Sequence, residues 1–546
     1  MESLLSWWKK DKRYVTMAKA SLMALLPLLC CMVFCGRQGK TLSQVYLPAS
    51  LWNDELFYYK QVEGIIHYGF PQGYFGFNES HALKLSFAAW SPVLVFPWVL
   101  WGLVFGWNLL SPIVCNICLT MLICFLFIWL VKPTWKQIGI LTVLFCLYTP
   151  YARFMLSGTP EVFCFDLLIL FYGLAINYLK REKNWKLALL FFTAGIMTLM
   201  RPYLVLFLLL PTVLWVKKSH WKAVLGSAAI LTVTAGLYAC IKHYLGTEYF
   251  APLFFTDWVD AFFEQGLFGG IHFTLEKLYY AGMNFGRNTI EGFQSGLASG
   301  AYFGGYLITL GILLFQCIRN FAHLVQIRKE AKNGDGEAKQ KVDKLIKALI
   351  LEVHLSFSFI AMLIALLLMY KLEEGSRHLL TFIAAGFFMI ALMDTKFYKK
   401  AVLLGLTFAY LYSYKAVNPY DYQVIYVEET RVETIRKWDQ VLTEQMYLVE
   451  ENTPNYENVV IWVFNDMIGT DGVTRNSDWQ FLYGLPQGFG ISCCMPSYVE
   501  ENFENLQSRY LFTLSNGRID SLCAEAGLRE IWRDEYDVLY LLERGR

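Results

Sequence analysis

Apolar runs of about twenty residues, separated by short basic loops, recur along most of this 546-residue chain and leave few folds open to it. A helix of that length matches the hydrocarbon thickness of a bilayer and satisfies its own backbone hydrogen bonds there. Hydrophobic residues make up 56% and aromatic residues 17% of the chain, and the mean hydropathy is +0.38. That is too apolar for a soluble protein, so the expected fold is an all-α polytopic membrane protein. The net charge of +2 hides a local asymmetry between basic loops and loops that are acidic, aromatic and Gly-rich. Such asymmetry sets topology and does not point to nucleic acid.

The basic start Trp7-Trp8-Lys9-Lys10-Asp11-Lys12-Arg13 leads into the apolar run Met17–Gly36 with no convincing small-x-small cleavage site, which reads as a retained first helix with a cytoplasmic N-terminus. The candidate cytoplasmic loops are Lys132–Lys136, Lys180–Lys186, Lys217–Lys222, Arg319–Lys347 and Asp394–Lys400. They agree with one another if helices run near 109–131, 137–152, 162–179, 186–200, 203–216, 223–241, 300–318, 348–370, 379–393 and 401–417. With the first helix this gives about eleven spans. Phe87–Trp107 is apolar but carries Pro92, Pro97, Gly102, Gly106 and several Trp residues. Counted as a span it would put every later basic loop on the wrong side, so it is expected to be re-entrant or juxtamembrane. The same parity places the first loop (37–108), Ser157–Glu161, Lys242–Ser299 and Lys371–His378 outside. The stretch around Lys332-Asn-Gly-Asp-Gly336 reads as a solvated linker with a short polar helix.

Positions 1–417 thus form the membrane portion, and beyond Val417 the composition turns soluble. An amphipathic run at Glu428–Val449, strand-like Val459–Phe464, Tyr510–Leu514 and Val538–Leu542, and a helix at Ile519–Trp532 describe a small α/β domain over 418–546, extracytoplasmic by parity. Ten of the 13 Cys residues lie in apolar segments and read as small buried hydrophobes. In the polar C-terminal region, Cys523 either pairs with Cys493 or Cys494, or all three are thiols.

The chemistry-bearing residues share the outer face. An acidic pair, Asp54-Glu55, stands in Leu51-Trp-Asn-Asp-Glu-Leu-Phe-Tyr-Tyr59 just beyond the first helix, where carboxylates are costly unless they serve binding or chemistry. Glu161 follows Ser157-Gly-Thr-Pro160, Arg201-Pro202 closes another helix, and Arg377-His378 precede a late one. Each also has a purely structural use: helix caps and first-turn acids for the carboxylates, interfacial snorkelling for the cations. Asp166, inside the helix after Glu161, is a membrane-level acid of the kind transporters use. His67, His81 and His272 read as polar loop residues, because the spacing of His81 and Glu79 is not that of a helical ligand pair.

In their order and common sidedness these residues resemble the GT-C glycosyltransferases that use polyprenyl-phosphate sugars, closest to the protein O-mannosyltransferase and aminoarabinose-transferase branch. The resemblance implies a GT-C-like membrane domain and an inverting transfer to an extracytoplasmic acceptor: a cell-wall polymer, a glycolipid or a protein. It implies Asp54 or Glu55 as the catalytic carboxylate, with Asp54 preferred as general base and its neighbour orienting it. Glu161 would hydrogen-bond a sugar or acceptor hydroxyl, or share a divalent metal ion with Asp54. Arg201, with Arg377 and His378 as second candidates, would neutralise the departing lipid phosphate. The rival expectations are a transporter or flippase of lipid-linked sugars and a non-catalytic scaffold.

Overall fold

The computed structural model describes residues 13–46, 54–69, 75–79, 92–245, 255–295, 298–332, 336–370, 372–392, 429–445, 456–467 and 473–542. Six helices among them are long and apolar enough to cross a membrane: Arg13–Arg37, Ser111–Val131, Glu161–Lys180, His220–Tyr244, Tyr302–Lys329 and Ala338–Met369. Shorter apolar helices accompany them at Val93–Phe105, Trp135–Leu147, Asn184–Met200, Pro202–Val216 and His378–Leu392. The protein is therefore a helical, multi-pass membrane protein carrying a C-terminal sheet-containing domain. The expected span 401–417 and the loop Asp394–Lys400 lie outside the described residues.

Glu161–Lys180 is the central helix. It buries nearly its whole length against Ser111–Val131, Asn184–Met200 and Leu372–Leu392. The basic loops gather at one end of this bundle. The Lys19 ammonium donates to the Pro133 carbonyl at 2.9 Å and that of Lys180 to the Val131 carbonyl. Glu182 pairs with Lys218 at 3.6 Å and Lys347 at 3.3 Å. The acids and arginines singled out above lie at the other end, where Glu161 starts its helix and Arg201 ends its own.

Several expected elements are revised. The span near 137–152 breaks at Tyr148 into Trp135–Leu147 and Thr149–Met155, because Pro150 is accommodated only in the first turn of a new helix. The loop Lys242–Ser299 contains a long helix, Asp257–Gln294, kinked at Gly266 where φ is 74°. Its amphipathic spacing, interrupted by glycines, hid it. The stretch expected as a linker is helical on both sides of 333–335, which lie outside the described residues. Ala298–Lys332 and Gly336–Met369 form one long helical pair, whose polar extension is held by a seam of Leu324, Ile327, Ala338 and Leu345. Phe87–Trp107 contributes a 3-10 turn, Pro92–Val95, and a helix, Phe96–Phe105, of only 10 residues. That is roughly 15 Å of helix, half a bilayer core.

The C-terminal sheet has the strand order Phe75–Phe77, Gly490–Cys494, Val459–Val463, Tyr510–Leu514, Asp537–Leu541, Arg529–Arg533. The first three pairings are parallel and the last two antiparallel. The edge strand comes from the first loop, some four hundred residues away. Just beyond it, buried Glu79 accepts the N–H groups of Gln507 at 3.0 Å and Ser508 at 2.6 Å, clasping loop to domain. The helix expected at Ile519–Trp532 stops at Glu525, and Gly527 at φ +67° turns the chain into the strand Arg529–Arg533. Cys493, Cys494 and Cys523 are buried thiols, none of them in a disulfide.

Candidate functional site

The first-loop helix, Asp54–Tyr68, begins with the acidic pair, and its two members are placed differently. Asp54 is half-buried. Glu55 is 0% exposed; its Oε2 accepts the Gly158 N–H at 3.0 Å and its Oε1 lies 3.4 Å from Arg153 Nη2. Position 158 needs glycine for this approach, since a Cβ there would sit 3.1 Å from the Glu55 Cβ and 3.5 Å from its backbone oxygen.

The turn carrying Gly158 is braced from below. Asn116 Nδ2 donates to the carbonyls of Ser157 at 3.0 Å and Met155 at 3.3 Å, while Asn116 Oδ1 accepts the Trp98 indole N–H at 2.8 Å. Ser157 and Thr159 share a hydroxyl hydrogen bond of 2.7 Å, and the helix N-cap falls one residue beyond Thr159. Pro160 occupies that position and Glu161 is the first helical residue. Asp166, further along, accepts from Thr120 at 3.1 Å.

Glu161 forms a second buried pair, its Oε1 accepting from Arg201 Nη2 at 2.8 Å; both side chains are almost fully excluded from solvent. Pro202 holds Arg201 in extended backbone, φ −139° and ψ 108°, ending the helix so that the guanidinium turns back into the bundle. Tyr203 then reaches His378, with 3.2 Å between its hydroxyl and Nδ1. His378 is buried, not a snorkelling surface cation. Arg377 lies in the second turn of Leu372–Leu392, and its side chain is outside the described residues.

The C-terminal domain roofs this end. Buried Lys60 donates to the Leu485 carbonyl at 2.8 Å and pairs with Glu63 at 2.6 Å. Tyr59 packs edge-on against Tyr483 at 5.1 Å and beside Trp107 at 5.2 Å. Burial pushes the Tyr483 phenol well above its ordinary value, and the nearby charge of Glu55 adds to it.

The structure thus brings Asp54, Glu55, Glu161, Arg201 and His378 to one end of the bundle, together with Arg153, which the sequence reading passed over. The available signal was a lone arginine inside an apolar run, four residues before the Ser-Gly-Thr-Pro turn. Among the histidines, His67 and His272 are exposed and His81 lies outside the described residues. Among the described residues no group of three His, Cys, Asp or Glu side chains is arranged to hold a metal ion. The Glu161 carboxylate is engaged by Arg201.

No protein-family model matches this chain, and no curated protein matches its sequence. The fold is similar to that of the Archaeoglobus fulgidus oligosaccharyltransferase in its apo form, at 12% identity over 92% of this chain and 70% of that one, with a TM-score of 0.45. It is also similar to ArnT from Cupriavidus metallidurans. The apo state gives 11% identity over 95% and 97% of the two chains and a TM-score of 0.40; the form bound to undecaprenyl phosphate gives 11%, 96% and 98%, and 0.41. These likenesses are distant and transfer no residue role to this chain.

Proposed function

We propose that the chain is an integral membrane glycosyltransferase that moves a sugar from a polyprenyl-phosphate donor to an extracytoplasmic acceptor, with inversion. The observation that carries this reading is the convergence of two buried carboxylate–arginine pairs, Glu55–Arg153 and Glu161–Arg201, beside the half-buried Asp54. Charges are buried in pairs at such cost that several segments rarely deliver them to one place without a use.

In this mechanism the Asp54 carboxylate removes the proton of the acceptor hydroxyl as its oxygen bonds to the anomeric carbon. The bond from that carbon to the phosphate oxygen breaks, and its electron pair leaves with the polyprenyl phosphate. Arg201 is assigned to neutralise that phosphate, and its pairing with Glu161 orients the guanidinium. Glu55 acts through its clamp on Gly158 and Arg153. Arg377 and His378 are assigned to the same phosphate. The donor face is taken as extracytoplasmic because the opposite end gathers the lysines.

A transporter of lipid-linked sugars is the second reading, and one observation favours it. Glu352, buried midway along Ala338–Met369, binds Asn320 at 2.7 and 2.9 Å, a membrane-level polar site of the kind transporters carry. Purified protein given a polyprenyl-phosphate sugar separates the two, since only the transferase releases free polyprenyl phosphate. Asp54→Asn should keep the fold and lower that release by roughly 10²-fold or more. Full release by the Asp54→Asn protein would remove Asp54 as base.

A further inference from the structure

Gln61 stands out among the buried polar side chains. It is 0% exposed, and neither its Oε1 nor its Nε2 has a hydrogen-bond partner among the described residues. Buried side-chain amides almost always find partners, so one with both ends unmatched calls for a specific explanation. Gln61 follows Asp54 by seven residues on the first-loop helix. Two helical turns leave an offset of about 20° and a rise of about 10 Å. Asp54, Tyr58 and Gln61 therefore run along one face of that helix. Tyr58 lies within electrostatic reach of Arg201 and packs edge-on to Trp98 at 6.4 Å.

An amide presents an acceptor oxygen and a donor NH2 side by side, without charge. That pair complements two adjacent hydroxyls of a sugar ring, one donating and one accepting. It is a poor match for a phosphate, which the cationic Arg201 suits better. We propose that Gln61 binds a vicinal diol of the sugar substrate whose reaction Asp54 serves. The assignment rests on the glycosyltransferase reading and deepens it: Arg201 takes the phosphate, Asp54 the proton, and Gln61 the ring hydroxyls.

The test compares wild type with Gln61→Met, which keeps length and shape and removes both polar atoms. Binding is followed by thermal shift and native mass spectrometry for the full-length protein in detergent. The probes are bare undecaprenyl phosphate, undecaprenyl phosphates carrying glucose, galactose, mannose, N-acetylglucosamine or arabinose, and the methyl glycosides of the same sugars. Gln61→Met without ligand should be at least as stable as wild type, because it loses two unmatched buried atoms. It should bind bare undecaprenyl phosphate as wild type does, and lose about tenfold or more affinity for the preferred sugar-bearing probe, the effect of two hydrogen bonds. A loss confined to the sugar-bearing lipid places the diol on the donor, and a loss confined to a methyl glycoside places it on the acceptor; either supports the proposal. Gln61→Leu repeats the comparison should the methionine variant unfold. Unchanged discrimination between sugar-bearing and bare lipid, with unchanged glycoside binding, would overturn the assignment and leave the proposed reaction standing. A wild-type protein indifferent to every sugar would overturn both.

Discussion

Replacing Glu55 by Gln tests whether the acidic pair is split between support and chemistry. Glu55 and Arg153 are 0% and 1% exposed and their closest atoms are 3.4 Å apart. Removing one partner of a buried ion pair costs about 3–5 kcal/mol, because the other charge is stranded. The contact is long, so the lower end applies. Gln also retains an oxygen for the Gly158 N–H, and the Arg153 guanidinium keeps the Phe154 ring 5.0 Å away, a contact of roughly 0.5–2 kcal/mol. The net loss is therefore about 2–3 kcal/mol. Thermal unfolding at one fixed scan rate should show Glu55→Gln and Arg153→Met each clearly destabilised. The double variant should lose about 2 kcal/mol less than the sum of the two single losses, since removing both charges leaves neither stranded. Wild-type melting of Glu55→Gln, or strictly additive losses in the double variant, would refute the clamp. Glu55 would then rejoin Asp54 as a candidate base.

Arg201→Lys keeps a cation opposite Glu161 but loses the planar fork, so transfer should fall roughly 10²–10³-fold in a protein that still folds; a steady-state release assay on folded protein checks this. In the C-terminal domain, burial raises the Asp520 carboxyl, but hydrogen bonds from Arg533, Tyr540 and the Asn516 N–H outweigh it and leave it below its ordinary value. A depressed carboxyl contributes stability above its unfolded value of about 3.9 and loses it as pH falls through the lower folded value. The melting difference between wild type and Asp520→Asn should accordingly be full near neutrality and shrink below about pH 4. In a cysteine-depleted background, Gln340→Cys and Ser521→Cys should label from opposite sides of intact cells, with Ser521→Cys reached from outside. Equal labelling of both would dismiss the assigned topology.

The membrane class, most of the spans and the end of the bundle at which the acids gather were legible in the sequence, because lipid demands long apolar helices and segregates lysine-rich loops whatever the tertiary arrangement. The pairs Glu55–Arg153 and Glu161–Arg201 were not. Each joins positions tens of residues apart through a helix break at Pro150, a glycine approach at Gly158 or an extended residue before Pro202, and no periodicity reports such contacts. The helix Asp257–Gln294 and the polar extensions of Ala298–Lys332 and Gly336–Met369 beyond the expected spans were missed for a related reason: charged residues on their polar faces read as loop until a partner helix supplies the buried side. The strand Phe75–Phe77 is the clearest case. Three residues of the first loop carry no strand signal of their own, and they are extended because Gly490–Cys494 offers an unpaired parallel edge. Composition decided where this chain resides; long-range contacts decided which of its charges meet.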